Sequence, residues 1–118
     1  MDGRIFHIQK QIADQLDRPW TVAMMAATIG ITSAHFQRVF RDMVGVPPAT
    51  YRATLRLQKA HDILSDPACF DAIKEIRLRC GFLNESNFTR DFKKKFGVTP
   101  TDCRSLAWEK DQSNPPNE

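Results

Sequence analysis

Two stretches of this 118-residue sequence, 34–42 (AHFQRVFRD) and 86–94 (SNFTRDFKK), carry side chains of matching type at matching spacing. Read as helices, they set Phe36 with Phe40, and Phe88 with Phe92, four residues apart on one face. At about 100° per residue, the opposite face holds Ala34, His35, Arg38, Arg41 and Asp42 in the first stretch. In the second it holds Ser86, Asn87, Arg90, Lys93 and Lys94. Such side chains suit a nucleic-acid duplex: the Arg fork matches guanine O6/N7, Asn matches adenine N6/N7, Ser serves either, and Lys meets phosphate. A solvated polar face is the plain reading of either stretch alone. The same Arg at the same place in both, Arg38 and Arg90, favours recognition.

Other chemistries find no residues to carry them. Cys69, Cys80 and Cys103 are odd in number and widely spaced, without a CxxC, and His7, His35 and His61 do not lie near them in ligand-like spacing. Neither a disulfide framework nor a zinc site is expected, and the thiols read as reduced, filling core or surface positions. There is no GxSxG, no HExxH and no phosphate-cradling glycine loop among only five glycines. No catalytic residue, metal ligand or cofactor is expected, and the chain does not read as an enzyme. The longest nearly apolar run, Val22 to Ile31, is interrupted by Thr28 and Gly30, well short of the ~20 residues a spanning helix needs. No signal peptide is visible at the N-terminus. The expectation is a chain that stays in the cytoplasm, with no membrane partner.

Charge is uneven. The net charge is +3, but 13 of the 17 Lys/Arg and only 8 of the 14 Asp/Glu fall between Thr32 and Arg104. That middle segment can attract a polyanion. The tail 111–118, DQSNPPNE, is polar and Pro-broken and reads as disordered.

The elements that must position these faces are helices throughout; strand alternation is absent. Ile5, Ile8, Ile12 and Leu16 recur at steps of three and four, predicting an amphipathic helix over residues 4–17. Thr21 caps a short helix closed by Gly30, and Thr32 or Ser33 caps the next, which Gly45 stops. Pro47-Pro48 opens a long helix to Leu64. Asp71 is expected to cap a short helix ending at Gly81, Asn84 one running to Phe96 before Gly97, and Pro100 opens the last. The fold class is all-α, with about seven helices.

The chain repeats itself. At an offset of 52 residues, Phe36 falls on Phe88, Arg38 on Arg90, Phe40 on Phe92, Gly45 on Gly97, Val46 on Val98, Pro48 on Pro100 and Arg52 on Arg104. Upstream the offset is 51, pairing Val22/Ile73, Met25/Ile76, Gly30/Gly81 and Ile31/Phe82, so the second copy has one extra residue in its turn. Each copy reads as short helix, Gly-containing turn, second helix, then Gly-x-x-Pro, the layout of a helix-turn-helix. The expected organisation is a first subdomain over 1–46, a linker helix over 47–65, a second subdomain over 66–110 and the tail. A 17-residue rod from Pro48 to Leu64 is ~26 Å long, and successive major-groove faces lie ~34 Å apart. The rod suits two adjacent grooves read by one chain, with DNA bent toward the protein or one helix engaged incompletely.

Two segments, FQRVFRDMVGVPPATYRATLRLQKAHDIL and IRLRCGFLNESNFTRDFKKKFGVTPTDCR, resemble the AraC/XylS class of bacterial transcription regulators. They follow its pattern of Phe/Leu-x-Arg-x-Phe, Gly-x-x-Pro, Tyr, Arg-Leu-x-x-Ala and later Gly-Phe, Phe-x-Arg-x-Phe-Lys, Gly-x-x-Pro. The similarity covers Ile5 to Arg104. It implies two helix-turn-helix units joined by a linker helix and sequence-specific binding of double-stranded promoter DNA. It implies base-facing positions at Ala34, Gln37 and Arg38 in the first unit, with Arg41 for phosphate. In the second they fall on Glu85, Ser86, Asn87 and Arg90, with Lys93 and Lys94 for the backbone. Thr32, Ser33 and Asn84 take cap positions, where helix N-termini meet phosphate. Arg56 matches the linker-helix Arg, a structural pairing, and Arg52 is open between structure and DNA. RNA polymerase follows as a partner, and the nucleoid as the place of action. Family members carry a sensor domain before the reader, so this chain is expected to be either a stand-alone regulator or a piece of a longer one.

Three positions depart from the pattern. Arg77 stands where the family has Ala at the helix crossing, so its stem is expected to snorkel outward or the helices to separate. Cys103 replaces an aromatic, which removes core volume. Ala34 offers base contact only through a thymine methyl. The competing function is a helical protein-interaction module that kept the fold without reading DNA, for which Glu85 and Asp42 leave room.

Overall fold

The computed structural model describes residues 3–113. Among them are seven α-helices and no strand: α1 Gly3–Asp14, α2 Val22–Thr28, α3 Ser33–Val44, α4 Pro48–Leu64, α5 Ile73–Arg79, α6 Glu85–Phe96 and α7 Pro100–Ser113. None of the described helices is long and apolar enough to cross a membrane. The chain divides into two compact units between Arg56 and Leu57, inside α4.

In the first unit, Ile5, Ile8 and Ile12 bury one stripe of α1 against Met25, Ala26, Phe36 and Phe40. The helix stops at Asp14, three residues before the expected end. Leu16 and Trp20 reach the core from the turn that follows, and side chains satisfy the carbonyls left without helical partners there. The Trp20 indole Nε1–H donates to the Gln15 carbonyl at 3.0 Å. Arg52 Nη2 donates to the carbonyls of Leu16 and Arg18 at 3.3 and 2.7 Å. Arg52 is therefore engaged inside the fold, and burial holds its pKa below the ordinary guanidinium value. Thr21 Oγ1 caps α2 by accepting from the Met24 N–H at 3.1 Å. Thr32, rather than Ser33, caps α3, accepting from the His35 N–H at 3.2 Å.

In the second unit the core gathers Leu57, Ala60, Leu64, Ile76, Cys80, Phe88, Phe92 and Cys103. Asp71 does not cap α5. The cap position falls one residue later, on Ala72, which makes no side-chain cap bond, and the Asp71 carboxylate pairs instead with Arg79 at 2.9 Å. That ion pair raises the Arg79 pKa. Asn84 does cap α6, its Oδ1 accepting from the Asn87 N–H at 2.8 Å.

Arg77 neither snorkels outward nor stays idle. It is buried, and its Nη1 donates to the Phe82 carbonyl in the α5–α6 turn at 2.7 Å. Its side chain lines a cleft of about 480 Å³ with Lys74, Glu85, Thr89 and Thr101. The aromatic volume missing at Cys103 comes from elsewhere. At the repeat position of Cys103 the first unit has Tyr51, whose ring meets Phe40 at 5.4 Å. In the second unit Phe96, where the first has Val44, sits 4.7 Å from Phe92, and His61 stacks on it at 4.3 Å. The two repeats place their third ring at different positions of the same core.

The last helix also departs from expectation. It continues through Ser113, three residues into the stretch read as disordered from Asp111. Asp111, Gln112 and Ser113 contain no helix breaker, the next proline being Pro115; residues 114–118 lie outside those described. Nor is α4 a bare spacer: Tyr51 and Leu55 pack on the first core, while Leu57, Ala60 and Leu64 belong to the second.

Candidate nucleic-acid interface

A helix displays a fixed set of side chains only when its opposite face is locked. In α3 that lock is Phe36 and Phe40, both fully buried with ring centroids 5.5 Å apart. In α6 it is Phe88 and Phe92, centroids 5.7 Å apart and equally buried. Burying a ring of this size contributes roughly 1.5–3 kcal/mol, so rotating either helix about its axis is strongly opposed. Each helix ends on a left-handed glycine, Gly45 with φ 94° and Gly97 with φ 81°, whose N–H closes the last turn. At these angles a side chain would be strained, which is why the Gly-x-x-Pro motif starts where it does.

With those faces fixed, Ala34, Gln37, Arg38, Arg41 and Asp42 are exposed along α3. With Pro47 they line one shallow groove of about 430 Å³, so the first unit's base-facing candidates and the phosphate candidate Arg41 share a single surface. His35 is half-buried, and its Nδ1 lies 3.2 Å from Arg38 Nη2, a contact that steadies the arginine over the groove. Thr32 is exposed at the helix start, while Ser33 is half-buried.

Along α6, Asn84, Glu85, Ser86, Asn87, Arg90, Lys93 and Lys94 are all exposed. The Arg90 side chain keeps 70% of its surface in solvent, and its ion pair with Asp91, Nε to Oδ1 at 3.5 Å, is an exposed and therefore weak one. Lys93, Lys94 and Lys95 occupy the last turn, where they also complement the negative end of the helix dipole. At both N-termini the cap side chain already occupies one backbone N–H, that of His35 and that of Asn87. Any phosphate there would meet the remaining donors.

Two features of this surface lay outside the sequence reading. One is the cleft lined by Arg77, which sequence placed at the helix crossing without the acceptor that holds it there, the Phe82 carbonyl. The other is Leu83, 86% exposed at the entry to α6; the extra turn residue announced it, but not its exposure. Among the described residues no group of three or more His, Cys, Asp or Glu side chains could hold a metal ion.

Residues 25–105 match the helix-turn-helix domain family, spanning α2 through the start of α7. In the same sense, the chain is 30% identical to a solved probable AraC family transcriptional regulator from Rhodopseudomonas palustris. That match has a TM-score of 0.82 over 90% of this chain and 98% of that one. The chain belongs to the AraC/XylS family. Among curated relatives, this AraC-type chain is 28% identical over 92% of its length to the HTH-type transcriptional regulator MtrA of Neisseria gonorrhoeae. It is 36% identical over 77% of its length to the probable thc operon regulatory protein of Rhodococcus erythropolis. It spans about a third of the length of these relatives, 36% and 28%. The AraC-type fold is shared with the DNA-binding domain of AdpA, solved in complex with a target DNA. There the TM-score is 0.85 at 21% identity, over 94% of this chain and 98% of that one.

Proposed function

We infer that this AraC-type domain binds double-stranded DNA in a sequence-specific manner and regulates transcription. The observation that carries this reading is the duplicated exposure of one arginine. Arg38 and Arg90 stand at the same repeat position, each exposed on the face opposite a buried Phe pair, where a guanidinium can fork onto a guanine edge. Around them Ala34 and Gln37, and Glu85, Ser86 and Asn87, form the base-reading set. Arg41, Lys93 and Lys94 neutralise phosphates, with Thr32, Ser33 and Asn84 presenting the helix N-termini to the backbone. With one such helix per unit, the reading calls for two major-groove segments of one duplex. Relatives named as transcriptional regulators and operon regulatory proteins support it, as does the shared fold of the AdpA domain bound to its target DNA. A promoter as target, RNA polymerase as the protein partner, a sensor domain elsewhere in the full regulator and action on the nucleoid belong to the same proposal.

The test is fluorescence anisotropy with a duplex selected from a random pool and with random duplex, across a salt series. Expected is preference for the selected duplex and an affinity that falls steeply with salt, as released counterions require. Absent or salt-insensitive binding overturns the reading and leaves a protein-interaction module.

A further inference from the structure

The two units differ by one residue in the turn that leads into the recognition helix. In the first, a single residue, Ile31, separates Gly30 from the cap residue Thr32; in the second, Phe82 and Leu83 separate Gly81 from Asn84. Ile31 and Phe82 each pack against their own core, so they are equivalent and Leu83 is the addition. It is the most exposed large hydrophobic side chain among the described residues. A hydrophobic residue just before a helix cap commonly staples onto the fourth residue of the helix, which here is Phe88. Leu83 does not, since Phe82 already covers that ring with centroids 4.9 Å apart. Leu83 is left in solvent rather than packed into the core.

Leu83 does, however, continue the exposed run Asn84, Glu85, Ser86 and Asn87. Resting on the DNA-reading function above, we propose that Leu83 is a specificity-determining residue that covers the C5-methyl group of a thymine at the edge of the segment read by α6. That methyl is the apolar group a B-form major groove displays, and apolar side chains are its natural contacts. Ala34 of the first unit offers at most a single methyl; Leu83 gives the second unit a larger apolar reader.

The experiment uses the whole chain and a duplex it selects from a random pool. Affinity is measured on that duplex and on copies in which each thymine is replaced singly by deoxyuridine, which lacks the methyl. One replacement, in the segment whose preference depends on Arg90, is expected to cost the unaltered chain about fourfold, the worth of one buried methyl-sized group. Leu83→Ala should bind that copy and the parent duplex equally, Leu83→Met should keep most of the discrimination, and circular dichroism should be unchanged in both. The proposal fails if Leu83→Ala reproduces the unaltered chain's full deoxyuridine profile, or if no thymine methyl in that segment contributes. Enrichment of no sequence at all would instead sink the DNA-reading function itself, a different result from a selected site indifferent to Leu83.

Discussion

The Arg77 guanidinium and the Phe82 carbonyl meet at 2.7 Å, closing the α5–α6 turn with a part-buried charge-assisted hydrogen bond. At the corresponding crossing of the first unit the chain has Ala26, itself buried. One helix-turn-helix thus has a small buried residue at this position and the other a long side chain reaching across the turn. Arg77→Met keeps the stem and removes the donor. Hydrogen bonds to charged groups are worth about 1.5–3 kcal/mol, so the variant should lose stability of that order in urea denaturation. A Met variant as stable as its parent would show the bond to be dispensable.

Arg90 and Lys94 separate base reading from backbone grip. Arg90→Ala should cost about 1–3 kcal/mol on the selected duplex and relax the preference at one base pair. Lys94→Ala should weaken binding to all sequences alike and lower the salt slope by about 1. Equal losses on selected and random DNA for Arg90→Ala would count against a base contact.

For Arg52, the two carbonyl acceptors just beyond the end of α1 supply the structural one of the two roles that the sequence leaves open. Arg52→Met should lower the stability of the first unit by about 1.5–3 kcal/mol and leave the salt slope of DNA binding where it was. A drop in that slope with stability unchanged would reverse the assignment.

Phe96 and Cys103 offer a test of the relocated ring. Phe96→Val copies the first unit's Val44 and should cost about 2–4 kcal/mol through the cavity it leaves beside Phe92 and His61. Adding Cys103→Tyr, which copies Tyr51, should recover part of that loss. A double variant worse than the single one, measured by thermal unfolding, would mean the two cores do not exchange this ring.

Much of this was legible because its cause is local. Thr21, Thr32 and Asn84 announce helix starts through side-chain oxygens, and Gly45 and Gly97 announce helix ends through left-handed backbone. The candidate faces follow from the Phe pairs by helix geometry alone. The misses share the opposite cause, a partner distant in the chain. Asp71 looks like a cap until Arg79 claims it eight residues on. The end of α1 cannot be placed without Arg52, 36 residues away from Leu16. Arg77, placed by sequence at the helix crossing, reads as a stem pushed outward until the Phe82 carbonyl is found for it, and the ring that replaces Tyr51 hides in the change from Val44 to Phe96.

All three cysteines fall in the second unit, Cys80 and Cys103 buried and Cys69 half-buried. Alkylation of the two inner thiols therefore clocks the opening of that unit alone, while the first unit, lacking sulfhydryls, stays silent. A bound oligonucleotide that clamps α6 would slow that clock without any label having been engineered into the protein.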